Sequence, residues 1–294
     1  MFDLRYHVAS LAAVFLALII GILVGVGLSD RGLVDKYKKT LLESRVANLS
    51  KQLSNASQRS GDLAREQRAA QTYINETYPV LVRNRLHGKK IAVVFVGSVD
   101  DGTRRAVERS LNDAGAQQLR LRALKVPIDV LQVDSALASQ SDAKGYVGKG
   151  RLEALGKTLG DELVRGGETP LWNGLADALI EQKAGGSKNP ADGVVVVRTV
   201  PPQRDGTSRF LLGLYEGLGS GGLPAVGVET SDAADSAVAV YEKAGLSTVD
   251  DIDKATGRLA LVLLLAGSQS GQYGLRPSAQ DVLPPFQTPT PQGG

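Results

Sequence analysis

The sequence predicts an α/β protein with an N-terminal transmembrane helix and a coiled-coil stalk, followed by a mostly parallel α/β sheet domain. Three observations lead to this prediction: an uncharged apolar run at 8–28, a proline-free stretch with heptad spacing, and short apolar segments that alternate with helical ones. Such alternation is typical of a parallel sheet covered by helices on both faces. We expect an anchor at 1–30, a stalk at 31–78, an α/β domain at 88–275 and a disordered, proline-rich tail at 276–294.

The first element is the apolar run from Val8 to Leu28, which contains no charged residue. As a helix rising ~1.5 Å per residue, it would span roughly 30 Å, the thickness of a bilayer's hydrocarbon core. A cleaved export signal usually has a shorter apolar region and a small-x-small cleavage site, so the run favours a permanent anchor. Gly21 and Gly25 have the G-x-x-x-G spacing that lets two membrane helices pack closely, although glycine is also common in membrane helices generally.

The charges beside the anchor leave its orientation open. Only Arg5 precedes the run, whereas several basic residues follow it closely: Arg31, Lys36, Lys38, Lys39 and Arg45. The positive-inside rule taken literally keeps the larger part of the chain in the cytoplasm, but long domains can be translocated despite their charge.

The second element is a stalk with heptad spacing. Steps of four and three residues lead through Leu42, Val46, Leu49, Leu53, Ala56, Ser60, Leu63, Gln67, Ala70 and Ile74. We expect the leucines and the valine of this set to form a coiled-coil seam with a second copy or with a partner protein. A solvated connecting helix without a partner is the alternative, and Ser60, Gly61 and Gln67 weaken the middle of the seam. The helix should end near Pro79.

The sheet domain follows as alternating strands and helices. Strands are predicted at 91–96, 118–124, 194–197 and 225–228. Helices are predicted at 103–114, twice around Pro170 within 150–183, and within 208–222 and 235–245. The apolar run 259–266 is too short to cross a membrane and should be a buried element of this domain.

Ligands of parallel α/β sheets bind beyond the carboxyl ends of the strands, so the loops after the first, third and fourth predicted strands are candidate positions. Gly97, Arg198 and Glu229 begin these loops and define a possible crevice. The first loop, 97–102, matches neither G-x-G-x-x-G nor a Walker A motif, and its acidic pair would repel phosphate. We therefore interpret it as a helix-capping turn rather than a nucleotide site.

Two glycine-rich segments lie at 145–150 and 217–222. Neither stands between a predicted strand and a predicted helix, where phosphate binding would require it, so we interpret both as flexible turns.

Composition argues against several classes of function. The 34 basic and 31 acidic residues give a net charge of only +3, which disfavours nucleic-acid binding. The chain has no cysteine, one methionine and two histidines, His7 and His87. Neither histidine reaches the predicted crevice, so we expect no catalytic residue and no cofactor. Copper(I) prefers thiolate and thioether ligands and copper(II) prefers imidazole, so we also expect no high-affinity metal site.

An acidic cluster of Asp250, Asp251 and Asp253 precedes the last predicted helix. It could bind a hard cation, but helix capping is favoured, because acids stabilise a helix's first turn and Ser247 stands at capping-box spacing before Asp250.

Two stretches together resemble a known family. They are HVASLAAVFLALIIGILVGVGL at 7–28 and STVDDIDKATGRLALVLLLAGSQSGQYG at 247–274. Both resemble the actinobacterial MctB-like copper transporter family, also described as copper transport outer membrane proteins. The resemblance implies an envelope protein with a channel-like or accessory role in copper homeostasis and with its domain beyond the cytoplasmic membrane. The short, continuously apolar strands argue against a membrane barrel. Only Ser10 offers a polar group to a pore within the apolar run.

A related branch of that family resembles the SteB-like corynebacterial cell-separation proteins, which act with a partner to control peptidoglycan hydrolases. A coiled-coil scaffold would suit an anchored chain without catalytic residues. A third hypothesis is a receptor that binds a small molecule in the crevice.

Overall fold

A computed structural model describes residues 4–27, 31–186 and 188–286. The chain divides into two units, Met1–Ala70 and Gln71–Gly294. The α/β class predicted from the sequence is confirmed: an apolar N-terminal helix and a long second helix precede a seven-stranded, mostly parallel sheet.

The first unit contains helix α1 (Leu4–Gly27) and most of helix α2 (Arg31–Val82). Within α1, the segment His7–Gly27 is long and apolar enough to cross a membrane, by length and composition. It is the one such helix among the described residues. A Cβ built on Gly21 or Gly25 would have no atom within 4 Å, so no part of the described chain packs against this glycine pair.

Helix α2 continues past the end that its proline predicts. Pro79 lies inside the helix, which ends at Val82. Tyr78 and Val82, one helical turn apart, are both buried in the core of the second unit. Their burial stabilises the last turn although Pro79 cannot donate a backbone hydrogen bond.

The second unit is built on a sheet with the strand order β3-β2-β1-β4-β5-β6-β7. The strands are β1 (Lys90–Val96), β2 (Gln117–Leu124), β3 (Ile180–Ala184), β4 (Gly193–Arg198), β5 (Ala225–Val228), β6 (Ser247–Val249) and β7 (Gln272–Tyr273). Neighbouring strands are parallel except β2 and β3, which are antiparallel. The four strands predicted from the sequence are confirmed, whereas β3, β6 and β7 were not predicted.

Helices cover both faces of this sheet. They are α3 (Asp101–Asp113), α4 (Val130–Ala138), α5 (Leu152–Arg165), α6 (Pro170–Gly174), α7 (Ala176–Leu179), α8 (Asp205–Gly219), α9 (Val238–Lys243) and α10 (Ala255–Leu265). Two 3₁₀ turns, Ser141–Tyr146 and Lys149–Arg151, precede α5.

Strand β1 separates two hydrophobic cores. Its alternate residues Ala92, Val94 and Val96 face the core that contains α5 and α8, while Ile91, Val93 and Phe95 face the core that contains α3 and α10. Both sets are buried, as expected for a parallel strand in the middle of a sheet. The apolar run 259–266 forms most of α10, and its residues through Leu265 are buried, as predicted.

Helices α5 and α8 pack through glycines at two G-x-x-x-G spacings. A Cβ on Gly156 or Gly160 of α5 would overlap backbone carbonyls of α8, and one on Gly213 or Gly217 of α8 would overlap backbone carbonyls of α5. The two backbones are therefore in direct contact. The interpretation of 217–222 as a flexible turn is wrong for Gly217, which lies inside a helix; the turn begins at Ser220.

Residues 276–286 of the segment expected to be disordered lie on the sheet domain. The Gln280 N–H donates to the Gln272 carbonyl at 2.8 Å, and Asp281 forms an isolated bridge with Tyr273. The Arg85 guanidinium lies 5.5 Å from the centroid of the Phe286 ring. The contacts of Gln280, Asp281 and Phe286 therefore hold residues 276–286 on the sheet domain, although the segment is rich in proline. Residues 287–294 lie outside the described residues.

Candidate ligand cleft

A cleft of about 610 Å³ lies at the carboxyl ends of the parallel strands. The chain passes from β1 to β2 on one side and later enters β4 on the other side of β1, so the carboxyl ends of β1 and β4 form a topological switch point. Open α/β sheets bind ligands at this position. The cleft is lined by Asp100, Gly102, Thr103, Ala106, Arg109, Val197–Pro201, Glu229, Thr230, Asp232–Asp235 and Asp253.

Two of the three predicted crevice residues line this cleft. Arg198 is the last residue of β4, and its Nη2 donates to the backbone carbonyl of Asp235 at 2.7 Å. Glu229 directly follows β5 and is only 5% exposed. The ends of adjacent strands thus bring Arg198 and Glu229 to one site, as the strand-end rule predicts.

Glu229 organises the cleft rather than offering a free carboxylate to it. Its Oε1 accepts from the Ser236 hydroxyl at 2.7 Å and lies 3.1 Å from the Arg276 Nε, while its Oε2 accepts from the Ala237 N–H at 2.7 Å. Arg276 also donates from Nη2 to the Ala233 carbonyl. A buried carboxylate with these partners fixes the loop after β5 and joins it to the C-terminal segment.

Gly97, the third predicted residue, supports the cleft without lining it. Its φ is +102°, a conformation that favours glycine, and a Cβ there would lie 2.8 Å from the Thr199 Oγ1. The Thr199 hydroxyl donates to the Ser98 carbonyl at 2.7 Å. Gly97 therefore lets the loops after β1 and β4 approach each other beneath the cleft wall.

The loop after β1 is a helix cap, as predicted. The Asp100 Oδ2 accepts from the Thr103 N–H at 2.7 Å and from the Thr103 hydroxyl at 2.8 Å. These hydrogen bonds lower the pKa of the Asp100 carboxyl. Because a carboxylate of the chain already occupies the N-terminus of α3, the place where a phosphate would bind is taken.

The charges of the cleft are mixed, with acids in excess. Asp100, Asp232, Asp235 and Asp253 line it together with Arg109 and Arg198, in addition to the ion-paired Glu229. This arrangement favours a polar or positively charged small molecule over a phosphate. The sequence reasoning missed Arg276, which pairs with Glu229, because no local pattern connects two residues so far apart in the chain.

Asp250 in the acidic cluster holds the C-terminal segment. Its carboxylate accepts from the Leu275 N–H at 2.7 Å and from the Arg276 N–H at 3.2 Å. Gly274 has φ +141°, and a Cβ there would overlap this carboxylate. The predicted capping box is wrong: Ser247 belongs to β6, and α10 begins at Ala255 after Lys254.

Asp251 and Asp253 also have structural partners. Asp251 is fully buried and accepts from the Thr256 hydroxyl at 2.5 Å. Burial is the largest cause that raises the pKa of Asp251 to about 6. The hydrogen bond from Thr256 lowers this pKa, and the neighbouring charges of Asp250 and Asp253 raise it. Asp253 accepts from the Ser231 N–H at 2.7 Å and from its hydroxyl at 2.9 Å. Each carboxylate thus has its own partners, and among the described residues no cluster of three or more His, Cys, Asp or Glu side chains could hold a metal ion.

The predicted seam residues of the stalk lie on the surface of α2. Leu42, Val46, Leu49, Leu53 and Leu63 are between 60% and 73% exposed. A groove on this part of α2 is lined by Lys38, Lys39, Leu42, Glu43, Val46, Ala47 and Ser50. Exposed leucines at heptad spacing are typical of a helix face that packs against another helix.

The family model for the copper transport outer membrane protein MctB matches residues 1–284. The chain belongs to this family. The Copper transporter MctB of Mycobacterium tuberculosis (strain ATCC 25618 / H37Rv) is 26% identical over 323 residues, covering 96% of this chain and 99% of the relative. The same values hold for the Copper transporter MctB of Mycobacterium bovis (strain ATCC BAA-935 / AF2122/97). The family predicted from the two sequence stretches is confirmed.

Membership in the MctB family extends over α1, α2 and the whole sheet, since the match ends at residue 284. The family and the apolar helix His7–Gly27 both support association with a membrane. The C-terminal stretch that carried the resemblance contains Asp250, Asp251 and Gly274, and their contacts give it a structural explanation: they join β6, α10 and the C-terminal segment.

Proposed function

We propose that this chain is a single-pass, membrane-anchored accessory protein of copper homeostasis without enzymatic activity. The observation that carries the proposal is the family match over 1–284, which includes the anchor, the stalk and the sheet domain together. The relatives are named copper transporters. One apolar helix with Ser10 as its sole polar side chain between Val8 and Gly27 suits an anchor better than the lining of an ion pathway.

The accessory role follows from the ligands that the chain lacks. Its 294 residues include no cysteine, one methionine and two histidines, so one copy cannot supply the thiolate, thioether or clustered imidazole ligands that copper prefers. We expect the purified full-length chain to bind copper no more tightly than an ordinary protein surface. Stoichiometric binding of copper with a submicromolar dissociation constant, measured by calorimetry in detergent, would contradict this role.

The sheet domain is proposed to lie on the outer side of the cytoplasmic membrane. Protease added to intact spheroplasts should then digest the sheet domain, while a cytoplasmic marker protein survives. Protection of the domain, with digestion after lysis, would place it in the cytoplasm and reverse the proposed orientation.

The copper role is tested by deleting the gene in its own organism. The deletion strain should grow less well than the parent at elevated copper, and the full-length chain should restore growth. A chain that carries Leu49→Asp and Leu53→Asp should fail to restore it if the stalk recruits a partner, whereas Ser44→Asp with Lys51→Asp on the opposite face should succeed. Unchanged copper tolerance of the deletion strain would refute the proposal.

A scaffold for cell separation is the second candidate function. The exposed apolar seam of the stalk favours it, because a coiled coil recruits a partner without performing chemistry. Deletion should then produce chains of unseparated cells at ordinary copper concentrations. Normal separation together with copper sensitivity would refute the scaffold role and support the copper role.

A receptor for a small molecule is favoured by one observation, the cleft of about 610 Å³ lined by Arg198 and Glu229. The cleft has the size and location typical of ligand sites in α/β sheets. A library of polar and cationic metabolites should contain a compound that raises the melting temperature of the wild-type chain but not of Arg198→Ala. A library in which every stabilising compound acts equally on both proteins would argue against this function.

A further inference from the structure

We propose that the cleft at the carboxyl ends of β1 and β4 binds an aliphatic diamine, a compound with two primary ammonium groups joined by a methylene chain. The inference names the ligand class of the receptor proposed above, and it rests on that function. Three features of the cleft lead to it: carboxylates that are open to a ligand, their distribution over two walls, and an apolar floor.

The loop after β5 forms one wall and carries two carboxylates that are open to a ligand. Asp232 and Asp235 line the cleft and are exposed. No hydrogen bond or ion pair between described residues involves either carboxylate, and Asp235 accepts from Arg198 through its backbone carbonyl. Asp253 differs, because its carboxylate lies 2.9 Å from the Lys254 Nζ. Asp232 and Asp235 are therefore the acids of this wall that can pair with a cationic ligand.

The opposite wall begins at Asp100, the N-cap of α3. Strand β4 lies between β1 and β5 in the sheet, so the loops that follow β1 and β5 stand on either side of it. Neighbouring strands are about 4.8 Å apart, which places the ends of β1 and β5 roughly 10 Å from each other. The Thr103 N–H and hydroxyl both donate to the Asp100 Oδ2, so Oδ1 can accept from a ligand. Each wall can therefore bind one end of an extended dication.

The arginines near the cleft leave its acidic part open to a cation. Arg109 follows Asp100 by nine residues, which is about 13 Å along α3. Arg198 donates to a backbone carbonyl of the loop after β5 at 2.7 Å. Arg276 neutralises the buried Glu229, since its Nε lies 3.1 Å from the Glu229 Oε1. The cleft therefore keeps an excess of negative charge, which favours a cationic ligand.

The carboxylates are arranged for ammonium groups rather than for a metal ion. A bound calcium ion needs about six or more oxygen ligands around one point. Across residues 4–27, 31–186 and 188–286, no three His, Cys, Asp or Glu side chains converge so that they could hold a metal ion. A primary ammonium group donates hydrogen bonds and can pair with a single carboxylate. Separate carboxylates therefore fit separate ammonium groups.

The floor of the cleft is apolar and selects the rest of the ligand. Val197 and Val200 lie between the two walls, and Ala106 and Ala233 also line the cleft. A methylene chain covers such a surface while its charged ends reach the carboxylates. None of the described lining residues is aromatic, whereas quaternary ammonium groups are typically recognised by aromatic rings. The ligand should therefore carry primary rather than quaternary ammonium groups.

The test measures binding of cadaverine, a linear aliphatic diamine, to the full-length chain in detergent by isothermal titration calorimetry at low ionic strength. Cadaverine should bind at one site per chain. Its bis-trimethylammonium analogue cannot donate hydrogen bonds, and pentanediol has the same chain without charge. Both should bind about tenfold or more weakly than cadaverine, because hydrogen bonds with charged groups are lost.

Variants of the two walls locate the binding site. Asp100→Asn and Asp235→Asn each remove one charge at nearly constant shape, and asparagine still caps a helix, so α3 should stay intact. Each should weaken cadaverine binding about twofold to fivefold, as expected for one exposed ion pair. Asp129→Asn is the matched control, because Asp129 caps α4 by accepting from the Leu131 N–H at 3.0 Å and lies outside the cleft lining. It should bind cadaverine as tightly as the wild type.

Each outcome decides the inference. No binding of cadaverine, equal binding of its quaternary analogue, or equal affinities of the wild type and both wall variants would overturn the diamine. An unchanged melting temperature without cadaverine shows that a variant is folded, and Asp232→Asn replaces a wall variant that is not. A library compound without ammonium groups that stabilises the wild type but not Arg198→Ala would overturn the ligand class and support the receptor. The receptor function itself fails only if no compound makes that distinction.

Discussion

The same glycine spacing occurs in two regions of the molecule with different surroundings. In the sheet domain, Gly156 and Gly160 of α5 meet Gly213 and Gly217 of α8, and a Cβ on any of them would overlap the facing backbone. In the anchor, Gly21 and Gly25 have the same spacing with no atom within 4 Å of their Cβ positions. The difference teaches that this spacing specifies a close helix contact but not whether the partner belongs to the same chain. Variants should therefore change folding in the first region and association in the second.

The largest effect is expected from Gly156→Leu. Its side chain would overlap the Phe210 carbonyl of α8, so the two helices must separate or the domain must fail to fold. We expect a loss of about 3 kcal/mol or more of unfolding free energy. Urea denaturation of the detergent-solubilised chain measures it through Trp172, the one tryptophan, which is 2% exposed and donates to the Leu159 carbonyl of α5 at 2.8 Å.

Gly145→Ala is the matched control for this variant. A Cβ on Gly145 meets no atom within 4 Å, and its backbone does not require glycine. The control should change the unfolding free energy by no more than about 0.5 kcal/mol. Equal stability of Gly156→Leu and the wild type would show that α5 and α8 do not pack backbone to backbone.

How much of the sheet can be predicted from the sequence depends on the length of the hydrophobic pattern in each strand. Strands β1, β4 and β5 were predicted because most of their residues are apolar and continuous. Strand β2 was predicted although its apolar residues Leu119, Leu121 and Ala123 alternate with polar ones. Strand β3 reads IEQKA with four exposed residues, and β6 and β7 contain only three and two residues. These three strands carry too little hydrophobic pattern to be recognised.

Only part of the cleft can be predicted from the sequence. Arg198 and Glu229 could be placed together because parallel strands end at the same edge of a sheet. The ion pair of Glu229 with Arg276 and the bonds from Asp250 to the C-terminal segment depend on tertiary contacts between distant parts of the chain. Acidic residues before a helix suggested capping, but Asp250 accepts hydrogen bonds from residues that follow the helix.

The next effect concerns the stalk. Leu49→Asp with Leu53→Asp places two carboxylates in each copy's seam, where burial of unpaired charge is costly, so association should be lost. With Leu42→Cys as the reporter, the disulfide-linked dimer should fall about tenfold or more, while the urea transition of Trp172 stays within about 0.5 kcal/mol of the wild type. Ser44→Asp with Lys51→Asp on the opposite face is the control. Persistent cross-linking in the double seam variant would mean that the seam is misassigned.

A smaller effect, which depends on pH, belongs to Asp251 in the sheet domain. Its pKa is raised to about 6 by burial, so between about pH 4 and pH 6 the unfolded chain has lost this proton while the folded chain keeps it. The unfolding free energy should therefore fall as pH rises through this window and level off above it, by about 1–3 kcal/mol in total. Asp251→Asn should remove that fall, as measured by urea denaturation at pH 4, 5, 6 and 7.

Asp253→Asn provides a control of opposite sign. Burial opposes ionisation of Asp253, but hydrogen bonds from Lys254 and Ser231 outweigh it and lower the pKa. This carboxylate therefore stabilises the fold above its unfolded pKa, and that stability is lost as pH falls through the folded pKa. The asparagine variant should be less stable than the wild type at pH 7 and should approach it in acid. The same pH slope for Asp251→Asn and the wild type would assign the titration to other groups.

The smallest effect on folding is expected from Gly25→Leu. This variant is therefore the sharpest test of the difference between the glycine pair of the anchor and the glycines of α5 and α8. The side chain enters open space in the described chain, so the urea transition of Trp172 should stay within about 0.5 kcal/mol of the wild type. If the glycines face a second copy, the added leucine separates the two anchors, and disulfide formation between copies that carry Leu18→Cys as the reporter should fall several-fold. Val24→Leu, which changes the residue next to Gly25 but neither glycine of the pair, should leave the disulfide formed by Leu18→Cys unchanged. Were Gly25→Leu to alter the stability of the sheet domain instead, the glycine pair of the anchor would have an intramolecular partner after all, and the contrast with Gly156 would disappear.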